Sequence, residues 1–286
     1  MVTTRVAVLG SINMDLTTFT PRFPEPGETL LGDSFTTSQG GKGANQAIAA
    51  ARSGAQTTFL GAVGDDAFAD ELLDSLAAAG VDVNLTRRTP GASGIAAIAV
   101  DSQGENTIIV VAGANGSVRH LSTEELTVIA DADILLCQLE IPLDTVVEGA
   151  AHARANNTVV ILNPSPVQTL PDALASAVDI LVVNEAEEVA IGTDTTARIS
   201  HVVTTLGASG ARYRGPESTV EIPAPTVDAV DTTGAGDAFT GSLAAEWSAG
   251  PENALRWACA AGAFAATRRG AGSSSGVRSD IESFLS

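Results

Sequence analysis

Residues 231–239, Asp231-Thr232-Thr233-Gly234-Ala235-Gly236-Asp237-Ala238-Phe239, lead from a polar segment through three small residues into an apolar-periodic stretch at 236–249. Small residues let a backbone approach an anion closely, and a helix start aims unpaired N–H groups and a positive partial charge at it. Gly234, Ala235 and Gly236 therefore read as an anion hole. Asp237 falls in the first turn, where a carboxylate can accept the proton of an attacking hydroxyl. A first-turn acid can equally be an ordinary N-terminal helix acid. The Gly-Ala-Gly before it and the Asp-Thr-Thr upstream favour the chemical reading.

Outward from this stretch, short β-branched runs alternate with Ala-rich helical patterns. Residues 6–9, 57–63, 134–137, 159–162, 180–183 and 202–206 read as buried strands, and 43–53, 67–79, 143–155 and 185–191 as helices. That order predicts βα units and a mostly parallel sheet covered on both faces. Downstream, 236–249, 251–267 and 277–285 read as closely packed helices, with Trp247 and Trp257 as packing residues. Residues 12–37 and 92–112 break the rhythm and read as strand pairs, the second turning through Asp101-Ser102-Gln103-Gly104-Glu105-Asn106. Pattern alone leaves open whether they form a separate small sheet or an edge hairpin of the core.

Two further segments can carry chemistry. Ser38-Gln39-Gly40-Gly41-Lys42-Gly43-Ala44-Asn45-Gln46 is not a Walker A loop, since Thr36 stands where that loop begins with Gly and no Ser or Thr follows Lys42. Its glycines expose backbone amides, while Lys42 and Asn45 offer donors to hydroxyl oxygens; as a bland alternative it is a Gly-rich turn before a helix. Gly10-Ser11-Ile12-Asn13-Met14-Asp15 follows the first strand and places Asn13 and Asp15 on one face of an extended segment, able to hold neighbouring hydroxyls. Glu140 and Glu187 each follow a strand, where acids either cap helices or stand near a hydrated Mg²⁺. Residues 205–210 are a Gly-rich strand exit, a nucleotide contact or a simple turn.

Composition excludes several classes. The 286 residues carry a formal charge of −19, which disfavours nucleic acid and anionic membrane as partners. Apolar residues make up 44%, yet no apolar run approaches the ~20 residues of a membrane span. The N-terminus reads as a first strand, without the basic start and cleavage site of a secretory signal. Cys137 and Cys259 lie in apolar segments, as free thiols of a reducing, cytoplasmic setting. Fourteen of the fifteen basic residues are arginine, and the sole lysine is Lys42. His120, His152 and His201 fall outside every motif, so no Ser-His-Asp set or zinc site is assembled from them.

The stretches GGKGANQAIAAARSGA (40–55) and DTTGAGDAFTGSLAA (231–245) resemble the two signatures of the ribokinase-like (PfkB) carbohydrate kinase family. GSINMDL (10–16), AVGDDAFAD (62–70), QGENTIIVVAGAN (103–115), QLEIP (138–142), NPSP (163–166) and NEAEE (184–188) extend the resemblance over nearly the whole chain. It implies a three-layer α/β/α core with a small β-sheet lid. The core would comprise 1–11, 38–91 and 113–286, and the lid 12–37 and 92–112, with the lid also serving as the contact of a homodimer. It implies ATP-dependent phosphorylation of a sugar, foremost a ribose-like one, with another family acceptor (deoxyribose, fructose, a nucleoside) or a non-catalytic sugar-binding regulator as alternatives.

Position by position, Asn13, Asp15, Gly41, Lys42, Asn45 and Glu140 resemble the family's sugar contacts and Asp237 its catalytic base. Gly234, Ala235 and Gly236 match the anion hole, with Gly236 also on the ATP. Asn184, Thr205 and Gly207 match the ATP side, and Glu187 the magnesium side. Asp231, Thr233, Gly270 and Ser274, with the carbonyls of Ala265 and Arg268, match a site for K⁺. The stretch 259–262, on the adenine side, holds no polar side chain that could read a base.

Overall fold

The structure, a computed structural model, describes residues 3–285. In chain order its strands are β1 (Arg5–Leu9), β2 (Asn13–Phe19), β3 (Ser34–Gly40), β4 (Gln56–Leu60), β5 (Ala62–Val63), β6 (Arg87–Arg88), β7 (Gly94–Val100), β8 (Asn106–Val111), β9 (Ile134–Cys137), β10 (Val159–Leu162), β11 (Ile180–Asn184), β12 (His201–Thr205), β13 (Ala211–Arg214) and β14 (Thr219–Ile222). Its helices are α1 (Lys42–Arg52), α2 (Ala69–Ala78), α3 (Thr123–Asp131), α4 (Leu143–Ala155), α5 (Asp172–Ala177), α6 (Glu185–Ile191), α7 (Thr193–Thr196), α8 (Ala235–Glu246), α9 (Pro251–Ala266) and α10 (Arg278–Leu285).

The main sheet has the order β14-β13-β12-β11-β10-β9-β1-β4, parallel from β4 to β12, with β13 and β14 antiparallel at one edge. Its central strands are apolar on both faces because helices cover both. Val6, Val8, Leu136, Ile161 and Val182 pack against α1, α2, α8 and α9. Their alternates Leu9, Leu135, Val160, Leu162 and Val183 pack against α3, α4 and α5. Each such fully buried aliphatic side chain contributes about 1.5–3 kcal/mol, so this two-sided core carries most of the stability.

The strand pairs expected at 12–37 and 92–112 form a separate four-stranded sheet of order β3-β2-β7-β8. They are not an edge of the main sheet. Two boundaries differ from the sequence reading. β3 continues to Gly40, three residues into the stretch assigned to the core, because Asn13 pairs with Gly40 at the root of the small sheet. The strand expected over 57–63 is broken at Gly61: β4 stays in the main sheet while β5 leaves it to pair with β6. Helix α3 was not expected. A capping box marks its start, Ser122 accepting from Glu125 N and the Glu125 carboxylate from Ser122 N.

One packing contact positions the chemistry. A Cβ on Gly241 of α8 would stand 2.2 Å from the carbonyl oxygen of Gln46 in α1. Only a glycine lets these helices approach so closely, and the approach brings the N-terminal turns of both to one point.

Candidate active site

That point lies at the carboxyl edge of the parallel strands, where open α/β sheets bind ligands. Helix α8 begins at Gly234, whose left-handed backbone (φ 76°) turns the chain into the helix without any side-chain cap. Of its first-turn amides Ala235 N donates to Thr232 O at 3.2 Å, while those of Gly236 and Asp237 have no partner among the described residues and are left to whatever occupies the cleft. Gly234, Gly236 and Asp237 line this cleft together with Lys42, Asn184 and Thr205.

Asp237 is buried, and both carboxylate oxygens are held by α1. Asn45 Nδ2 donates to Oδ2 at 3.0 Å and Gln46 Nε2 to Oδ1 at 2.9 Å. The amides continue outward in forced directions, since a carboxylate only accepts. Gln46 must donate to Asp237, so its Oε1 accepts from Gln138 Nε2 at 2.6 Å. Gln46 Nε2 also reaches Asn163 Oδ1 (3.0 Å), and Asn45 Oδ1 accepts from Gln39 Nε2 (3.1 Å).

Beside the residues that line this cleft stand β2 and the segment after β9, near enough for the Glu140 and Asp237 charges to act on Asp15. Glu140 accepts from Ser11 Oγ and, at 3.0 Å, from Lys42 N, which ties its carboxylate to the start of α1. Asp15 packs against Gly40, and among the described residues no group donates to its carboxylate. Burial first, then the neighbouring Glu140 and Asp237 charges, push its pKa up to about 7. Among the described residues no carboxylate lies within ion-pair distance of Lys42, whose side chain faces the cleft.

The other sequence-marked residues fall around this centre. Asn184 and Glu187 form a reciprocal capping box on α6, Asn184 Oδ1 accepting from Glu187 N at 2.8 Å and Glu187 Oε2 from Asn184 N at 3.0 Å. Both also line the cleft. Gly207 does not line it; it opens the one-turn helix Gly207–Ser209 just past β12. Asp231 bridges two segments, accepting from Thr233 N (2.9 Å) and Gly270 N (3.0 Å). Burial would raise its pKa, but those backbone donors, the Thr233 hydroxyl and the Arg269 charge outweigh burial and hold it below the usual carboxylate range. Ala265 O accepts from Arg268 N (3.0 Å), and buried Ser274 donates to Ala271 O (2.6 Å). The loops around 231–234 and 265–274 are thus joined through the Asp231 carboxylate. Among the described residues no group of three or more His, Cys, Asp or Glu side chains could hold a metal.

Gln46, Gln138 and Asn163 were missed by the sequence reading. Gln46 adjoins Asn45 at a helix start, a local signal. Gln138 and Asn163 open two of the matched stretches, QLEIP and NPSP, but nothing local ties either to Asp237.

A cleft at the carboxyl edge of a doubly wound sheet, with an uncapped helix start beside a clamped carboxylate, defines the class of small-molecule kinases. The sequence pattern of the pfkB family carbohydrate kinases matches residues 3–277, and the chain belongs to that family. The chain is 37% identical to the ribokinase of Haemophilus influenzae, over 98% of each chain. It is 35% identical to the deoxyribokinase of Salmonella typhi, over 94% of each. Arabidopsis thaliana ribokinase, solved with ribose and ATP, superposes with a TM-score of 0.93 at 30% identity over 99% of each chain.

Proposed function

We propose that the protein transfers the γ-phosphoryl group of ATP to the 5-hydroxyl of D-ribose, giving ribose 5-phosphate and ADP. The observation that carries this reading is Asp237: a buried carboxylate in the first turn of an uncapped helix, both oxygens fixed by amides, opposite Asp15 and Glu140. Similarity to ribokinases over the full chain supports the acceptor.

Asp237 takes the proton of the attacking hydroxyl, and the amides of 234–237 hold the transferring group as charge gathers on its oxygens. Asn13, Asp15, Gly41, Lys42, Asn45 and Glu140 bind the sugar. Lys42, facing the same cleft as the helix start, is also placed to meet the phosphates. Asn184, Thr205, Gly207 and Gly236 serve the nucleotide, and Glu187 stands on the side of a water-bound Mg²⁺ that neutralises phosphate charge. Oxygens of Asp231, Thr233, Ala265, Arg268, Gly270 and Ser274 suit K⁺, which would steady the loop that feeds the anion hole.

The four-stranded sheet acts as a lid, residues 12–37 and 92–112, and as the contact of a homodimer. Exposed Phe35, Ile109, Val110 and Val111 on that sheet support this, since such apolar surface favours a partner. No helix among the described residues is long and apolar enough to cross a membrane. Burial pushes the free Cys259 thiol up to about 12 and the Cys137 thiol higher still, which suits an unreactive pair in the cytoplasm.

ADP release with ribose, 2-deoxyribose, fructose and a nucleoside, each with ATP and Mg²⁺ and with or without K⁺, tests the proposal. Ribose giving the highest kcat/KM, raised by K⁺, is the expected result. A higher value for 2-deoxyribose reassigns the acceptor, and no sugar-dependent ADP removes the kinase reading.

A further inference from the structure

Asn115 ends the stretch 103–115 marked in the sequence, and none of the roles above uses it. It lies just past β8, 1% exposed, and its amide is bonded on both sides. Oδ1 accepts from Ile12 N at 3.0 Å; Nδ2 donates to Ile12 O at 3.0 Å and to Asn13 Oδ1 at 2.8 Å. A backbone N–H only donates and a carbonyl only accepts, so the Asn115 amide has one possible orientation.

That orientation propagates. Because Asn115 presents an N–H to Asn13, the Asn13 amide must turn its oxygen toward Asn115 and its NH₂ away. Asn13 is 3% exposed, and its Nδ2 has no partner among the described residues. The residue is buried but this nitrogen keeps some access, so the acceptor that completes it must come from a ligand or solvent. Two residues along β2, on the same strand face, Asp15 in its ionised form offers only acceptors and likewise has no protein donor among the described residues. The wall thus shows a donor beside an acceptor, the pair that hydroxyls, which both accept and donate, satisfy.

A second observation points to the same bond. Gly94 pairs with Asn13 across β2 and β7, and a Cβ there would stand 2.2 Å from both Asn115 Nδ2 and Asn13 Oδ1. The small sheet is built with a gap where the two amides meet.

We propose that Asn115 is a positioning residue that never touches the sugar but fixes the donor polarity of Asn13, and through it the hydroxyl pattern the pocket accepts. The proposal rests on the reading of Asn13 and Asp15 as the sugar wall. In Asn115→Asp, oxygen replaces the donor against Ile12 O and Asn13 Oδ1, so the Asn13 amide turns over and shows its oxygen to the pocket beside Asp15. Asn13→Asp keeps the bond from Asn115 and replaces the outward donor by an acceptor directly.

Ribose is titrated calorimetrically into wild type and both variants at mildly alkaline pH, with kcat, ATP KM and melting temperature measured in parallel. Expected is a loss of ribose affinity of about 10- to 100-fold in both variants. ATP KM should stay within about twofold, and preference for ribose over at least one ring-deoxy analogue should narrow. Ribose affinity unchanged in a folded Asn115→Asp overturns the proposal, as does a parallel loss for ATP, which marks a merely structural role. If Asn115→Asp does not fold, unchanged affinity in Asn13→Asp overturns it instead. Wild type that neither binds nor phosphorylates ribose counts against the kinase reading itself, before any variant is compared.

Discussion

The two walls of the cleft treat their carboxylates in opposite ways. On the helical wall Asp237 has an amide donor on each oxygen, both from consecutive residues of α1. On the β2 wall Asp15 has none among the described residues, and burial together with two neighbouring acids lifts its pKa to about 7. A carboxylate whose orientation the protein fixes is suited to take a proton at one place. A carboxylate without protein donors is completed by the hydroxyls of its ligand. The difference separates chemistry from recognition within one pocket.

The division is broken most severely at the helical wall. Asp237→Asn should cut kcat by on the order of 10²–10⁴ with the fold intact, measured by ADP release under saturating sugar and ATP. Next is Gln46→Leu, which frees Asp237 Oδ1 and leaves Gln138 Nε2 and Asn163 Oδ1 without their partner. Its kcat should fall about 10- to 100-fold while sugar KM moves less than threefold. An equal loss in both would merge the two walls into one structural unit.

Much of the helical wall could be read from the chain because its signals are local. Gly234-Ala235-Gly236-Asp237 announces a helix start and an acid within one turn, and Gly40-Gly41-Lys42 does so for α1. What holds those residues was not legible. Gln46 meets Asp237 across 191 residues and Asn115 meets Asn13 across 102, so neither partner could be inferred from spacing. The break at Gly61 escaped notice because the run 57–63 reads as one strand and does not reveal which sheet each part joins. The capping box at Ser122 and Glu125 was local and readable, and the helix it opens could have been expected from it.

A smaller effect sharpens the comparison at the β2 wall. Asp15 keeps its proton in the folded protein up to about pH 7, whereas the unfolded chain loses it near 3.8. Folded protein therefore binds more protons in that window, and the Asp15 contribution to stability falls as pH rises from about 4 to 7. Sugar affinity should move the other way, rising through pH 7 as the carboxylate forms and levelling above it. Calorimetry in buffers of different ionisation heat checks this, since binding near or below pH 7 should release a proton. Smallest of all, Cys137 and Cys259 should resist iodoacetamide in the native protein at pH 8, because burial raises both thiols far above it.

Ribose titrated into Asp15→Asn and Asp237→Asn, side by side, tests the separation most directly. The account predicts an affinity loss of roughly 10- to 100-fold for Asp15→Asn and only a few-fold change for Asp237→Asn. Equal losses, or the reverse order, would contradict it.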